Sequence, residues 1–89
     1  SNMQGLMAEI NGTLAWIFKD QKDYRQALNF VNESERIRTI LKDKRGIANC
    51  YNTKGLIYML EGNNELSISF HQKALQIRKE LNYKAGIGA

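Results

Sequence analysis

Slid along itself by forty residues, the chain meets its own pattern again. Ala8 falls on Ala48, Thr13 on Thr53, Ile17 on Ile57, Phe30 on Phe70, Ile37 on Ile77, Arg38 on Arg78, Leu41 on Leu81, Gly46 on Gly86 and Ile47 on Ile87. Phe18 meets Tyr58 and Leu28 meets Ile68. A fixed period of about 20–50 residues is the mark of a stacked array, in which one supersecondary unit buries its apolar face against the next. The register divides the 89 residues into a first unit at 3–43, a second at 44–83 and the opening of a third at 84–89, "KAGIGA". Ser1 and Asn2, ahead of Met3, read as a scar of tag removal.

Each unit has room for two helices. There is no proline anywhere, and the helix formers Ala, Leu, Glu, Lys and Arg are frequent, which favours an all-α fold over strands punctuated by turns. The first helix is expected from about Met3 to Lys19, with Ile10, Leu14, Ile17 and Phe18 on one face. The second follows "DQKD", where Asp23 can cap it, and carries Ala27, Leu28, Val31, Ile37, Ile40 and Leu41. A third is expected from about Lys44 to Leu60 behind Asp43, closed by Gly62 in the left-handed conformation, and a fourth from Asn64 to Leu81, stopped by Asn82. Connections this short make successive helices antiparallel hairpins.

These hairpins resemble the tetratricopeptide repeat. In the second unit the resemblance lies in Gly55 and Tyr58 on the first helix, Gly62 at the turn, and Ser67 and Ala74 on the second helix. In the first unit it lies in Ala15 and Phe18, then Tyr24, Ala27 and Ser34. The departures are Lys54 where a leucine is usual, Asn64 in place of an aromatic, and the missing closing proline. The longer period, with its excess in "RIRTILKDKRG" and "QIRKELNYKAG", looks like the repeats of bacterial signalling regulators and polarity adaptors. The resemblance implies two hairpins stacked as a right-handed α-solenoid segment, with a concave groove that holds a peptide or a partner helix. Carried over by position, that groove shows Glu9, Gly12, Trp16, Lys19 and Asp20 from the first unit and Asn49, Asn52, Leu56, Met59 and Leu60 from the second. An asparagine such as Asn52 offers both a donor and an acceptor to a bound backbone, and Trp16, Leu56 and Met59 would form an apolar strip.

The remaining residues point away from chemistry. His71 is the only histidine and reads as a packing residue, because acid–base or nucleophilic work needs a partner within reach. Cys50 is the only cysteine, so it has no internal disulfide partner; it reads as a small packing residue and is compatible with a reducing, cytoplasmic location. "EGNNE" lacks the alternating oxygen ligands of a calcium loop, and no glycine-rich phosphate loop occurs. The sequence therefore reads as a non-enzyme with no metal and no cofactor. The net charge is +4, and a basic edge recurs at Arg36, Arg38, Lys42, Lys44 and Arg45 and at Arg78, Lys79 and Lys84. Acidic residues interrupt it and no nucleic-acid recognition signature accompanies it, so a protein or peptide partner is expected rather than nucleic acid. No apolar run has the length of a membrane span. The alternative reading is a spacer or self-association segment of a larger signalling protein, such as a sensor kinase or transcriptional regulator. In that reading the uncapped ends of the array join copies of the chain.

Overall fold

The computed structural model describes residues 2–84, which form four helices: α1 (Asn2–Asp20), α2 (Tyr24–Ile40), α3 (Lys44–Leu60) and α4 (Asn64–Lys84). No strand occurs among the described residues. The fold is all-α, two helical hairpins stacked side by side. Ser1, read as part of a tag scar, and residues 85–89 of the third unit with Gly86 and Ile87, lie outside the described residues.

Three connections join the helices, and all three are built alike. Lys22, Lys42 and Gly62 take positive φ of 65°, 57° and 88°, reversing the chain directly after each helix. Around each, the backbone closes the same pair of hydrogen bonds: Lys22 N to Lys19 O with Asp23 N to Phe18 O, then Lys42 N to Thr39 O with Asp43 N to Arg38 O, then Gly62 N to Met59 O with Asn63 N to Tyr58 O. This is the Schellman arrangement, which satisfies the last carbonyls of a helix. The residue that ends each motif also begins the next helix. The side chains of Asp23, Asp43 and Asn63 accept from Gln26 N, Gly46 N and Leu66 N at 3.2, 3.0 and 3.2 Å. A cap of this kind satisfies an orphan donor and contributes about 1 kcal/mol.

Small residues let the helices close up. The core contains Ala8, Ala15, Ala27, Ala48 and Ala74, with Ile57 and Val31 the bulkiest fully buried apolar side chains. α1 packs on α2 and α3 on α4, while α2 against α3 joins the hairpins. An aromatic pair supports each hairpin near its turn: Phe18 stacks on Phe30 with centroids 5.3 Å apart, and Tyr58 stacks on Phe70 at 5.6 Å. These are equivalent positions of the two units, and such offset pairs add about 0.5–1.5 kcal/mol beyond burial. Ser34 sits where three helices meet, donating to Ala8 O at 2.8 Å while Cys50 Sγ lies 3.6 Å from its Oγ. Burial pushes the Cys50 thiol above its ordinary pKa. Lys54, the departure from leucine, reaches across the joint to Glu35 with its side chain only 12% exposed, and its ammonium lies 5.2 Å from the Phe70 ring centroid.

One boundary differs from expectation. The fourth helix does not stop at Asn82 but runs through it to Lys84, the residue read as the first of a third unit. Asparagine favours the left-handed conformation only weakly, and the device that ends α2 is missing here. There Arg38 Nη1 meets Asp43 Oδ2 at 2.6 Å while Asp43 caps α3. The position equivalent to Asp43 is Tyr83, which has no carboxylate to do either job.

Candidate functional site

α1 and α3 are the first helices of the two hairpins, and between them, with α4 beyond, lies an open cleft of about 530 Å³. Trp16 comes from α1, Asn49, Asn52, Thr53 and Leu56 from α3, and His71 and Arg78 from α4. Helical spacing aligns the α3 group: Asn49, Asn52, Thr53 and Leu56 recur every three or four residues and share one face. A second hollow of about 280 Å³, lined by Arg45, Asn49, Arg78, Leu81 and Asn82, shares Asn49 and Arg78 with the first. The two form one continuous polar and apolar surface.

Of the ten residues expected in the groove, four meet in this cleft, Trp16, Asn49, Asn52 and Leu56, while Glu9, Gly12, Asp20 and Leu60 do not line it. Trp16 is 45% exposed, and Lys19 covers its ring with the ammonium 3.6 Å from the centroid. Lys19 also pairs with Asp20 at 3.0 Å, so it flanks the cleft as a support of Trp16 rather than lining it. Met59 is exposed but lies outside the lining, so the apolar strip of Trp16, Leu56 and Met59 is reduced to its first two members.

The polar wall is a hydrogen-bonded chain that the sequence reading did not contain. Arg78 Nη2 donates to Asn49 Oδ1 at 2.8 Å. With the Asn52 amide turned so that Nδ2 donates to His71 Nδ1 at 3.0 Å, its Oδ1 accepts from both Arg78 terminal nitrogens at 2.7 and 3.0 Å. That orientation satisfies both ends of the amide and leaves one Asn52 N–H for a ligand. Among cations, the sequence reading placed Lys19 alone on the groove; Arg78 is a second, and it comes from the second helix of the hairpin. His71, read as a packing residue, is exposed in the cleft. The signal for both was their register: residues 71 and 78 are seven apart on α4, two turns along one face.

The signature residues lie in the interior. Ala15, Ala27, Ser34, Gly55, Ser67 and Ala74 are buried, Phe18, Tyr24 and Tyr58 half-buried, and Gly62 forms the turn. Much of the basic edge is tied up within the chain, with Arg36 held by Glu33 and Arg38 by Asp43. Among the described residues no cluster of His, Cys, Asp and Glu could hold a metal ion, and no helix is long and apolar enough to cross a membrane.

No curated protein and no solved structure matches the chain. The family model described as Tetratricopeptide repeat matches residues 48–81, which run from the second turn of α3 to near the end of α4. The first hairpin has the same turn, with a stacked aromatic pair and small interior residues at the equivalent positions, so the matched unit has a structural counterpart ahead of it.

Proposed function

We propose that the chain is a non-enzymatic protein-interaction module that holds a peptide segment or a partner helix in the cleft between α1, α3 and α4. The observation that carries this reading is the pairing of an apolar wall, Trp16 and Leu56, with a fixed polar wall, Asn49, Asn52 and Arg78, across one open cleft. Such a surface fits a ligand presenting apolar side chains on one side and backbone carbonyls or carboxylates on the other. Arg78 is pre-oriented by two asparagines, so little side-chain entropy is lost when it meets an acceptor. The long-period variety of the repeat and a cytoplasmic setting are part of this reading.

Trp16 is the only tryptophan, and its fluorescence reports directly on the cleft. Peptides selected by the chain from a random display library should change that fluorescence on titration. Leu56→Arg should weaken them at least tenfold with helicity unchanged. Selected peptides that bind the Leu56→Arg chain as tightly as the wild type would place the binding surface elsewhere.

A second reading, a self-association segment of a larger signalling protein, is favoured by one observation. The outer side of α1 carries Met3, Met7, Ile10 and Ile17, all exposed, and soluble surfaces seldom leave such a row uncovered.

A further inference from the structure

The α2–α3 joint is where hairpin meets hairpin, and the forty-residue period allows it to be compared with the two ends of the stack. The period carries α3 back onto α1 and α2 forward onto α4. On its α3 side the joint includes Gly46, Cys50 and Ile57, all buried, and Lys54. Forty residues earlier, α1 has Leu6, Ile10, Ile17 and Leu14, of which the first three are 53%, 50% and 44% exposed. A face that is buried on α3 is apolar and uncovered on α1.

The outer side of α4 differs from α2 in ways that answer these changes. Within the joint, Lys54 of α3 pairs with Glu35 of α2. The equivalent of Lys54 is Leu14 and the equivalent of Glu35 is Leu75, which is 53% exposed, so both members of an ion pair become leucine together. Within the joint, too, the Arg38 side chain lies so close over Gly46 that a Cβ there would stand 2.1 Å from its Cδ. The equivalent of Gly46 is the larger Leu6, and the equivalent of Arg38 is Arg78, which turns away to Asn49 inside its own hairpin. The place that Leu6 needs is thereby open. α1 and α4 do not pack on each other within one chain, so changes that compensate between them require that the two faces meet in some other way.

We propose that the α1 face of one copy stacks on the α4 face of a second copy, continuing the solenoid head to tail with the geometry of the internal α2–α3 joint. The interface is heterologous, with a different surface on each side, so it adds copies in a row rather than closing a symmetric dimer. It deepens the self-association reading and does not depend on the cleft binding a peptide.

Sedimentation velocity over a wide concentration range tests it. The average mass of the wild type should rise past that of a dimer without a plateau. Leu75→Glu, at an exposed position, and Leu14→Lys should each yield monomers of unchanged helicity, with Ile10→Lys as the α1 variant if Leu14→Lys does not fold. The L14K chain mixed with the L75E chain should regain association past a dimer, because one joint then pairs the two substituted faces, repeating the Lys54–Glu35 pairing, and the next pairs the two unsubstituted leucine faces. A wild type that is monomeric throughout would overturn both self-association and the stacking, leaving neighbouring repeats or another protein to cover these faces. Association lost in L14K but kept in L75E would overturn the stacking alone and indicate α1 against α1.

Discussion

The imidazole of His71 occupies the space that a side chain at residue 55 would need: a Cβ on Gly55 would stand 2.7 Å from His71 Nε2. The helix glycine therefore serves the cleft, since it lets the ring sit where Nδ1 reaches Asn52. Gly55→Ala should leave stability nearly unchanged, because a lost hydrogen bond worth about 1 kcal/mol offsets the ordinary gain from alanine in a helix. In a His71→Ala background the same substitution should instead raise stability by about 0.5–1 kcal/mol, the ordinary gain from alanine in a helix. Urea denaturation of the four chains measures this coupling, and an equal effect in both backgrounds would exclude it.

Two lysines take the backbone conformation that a glycine takes in the last turn. A left-handed residue with a Cβ is strained by roughly 1–2 kcal/mol, part of which glycine gives back through its freer unfolded chain. Lys22→Gly and Lys42→Gly should each stabilise the fold by about 0.5 kcal/mol, a rise of about 3 °C in Tm. Gly62→Ala should lower Tm by a similar or larger amount. Thermal unfolding of the three variants checks both signs.

The Lys54–Glu35 pair is largely shielded from water, so its removal should be strongly non-additive. Lys54→Leu alone leaves the Glu35 carboxylate without its cation and should destabilise the joint by about 2 kcal/mol, less than a fully buried pair would lose. The double variant Lys54→Leu/Glu35→Leu should recover most of that loss. A double-mutant cycle by denaturant unfolding reads the coupling directly, and additive losses would show the pair to be independent.

Acid should loosen the same joint. The Gly46 N–H, together with the Arg38 and Arg45 guanidinium groups, holds the Asp43 carboxyl below its ordinary pKa against the opposing effect of burial. A depressed folded value means that this stabilisation is complete above the unfolded value of about 4 and is lost as pH falls through the lower folded one. Asp43→Asn keeps a capping oxygen but no charge. It should be about 1 kcal/mol less stable at neutral pH and flatten the stability profile between about pH 5 and pH 2. Parallel profiles for the two chains would rule out this role for Asp43.

What could be read beforehand was whatever depends on residues near one another in sequence. The starts of α2 and α3 were legible because Asp23 and Asp43 cap locally, and the doubled hairpin was legible because the period repeats. Trp16, Asn49, Asn52 and Leu56 could be expected on one side because the resemblance to the tetratricopeptide repeat, carried over by position, implies it, and the cleft brings the four together. Arg78 could not, because the period makes it a copy of Arg38. Its direction depends on the replacement of Asp43 by Tyr83 five residues later, which removes its carboxylate and frees it to turn toward Asn49. The same substitution accounts for the helix that runs on past Asn82. Met59 lies one turn beyond Leu56, too far along α3 to line the cleft that Trp16 opens.

In each connection a single residue, Asp23, Asp43 or Asn63, finishes one helix and starts the next. The joints therefore contain no slack from which a hinge could be made.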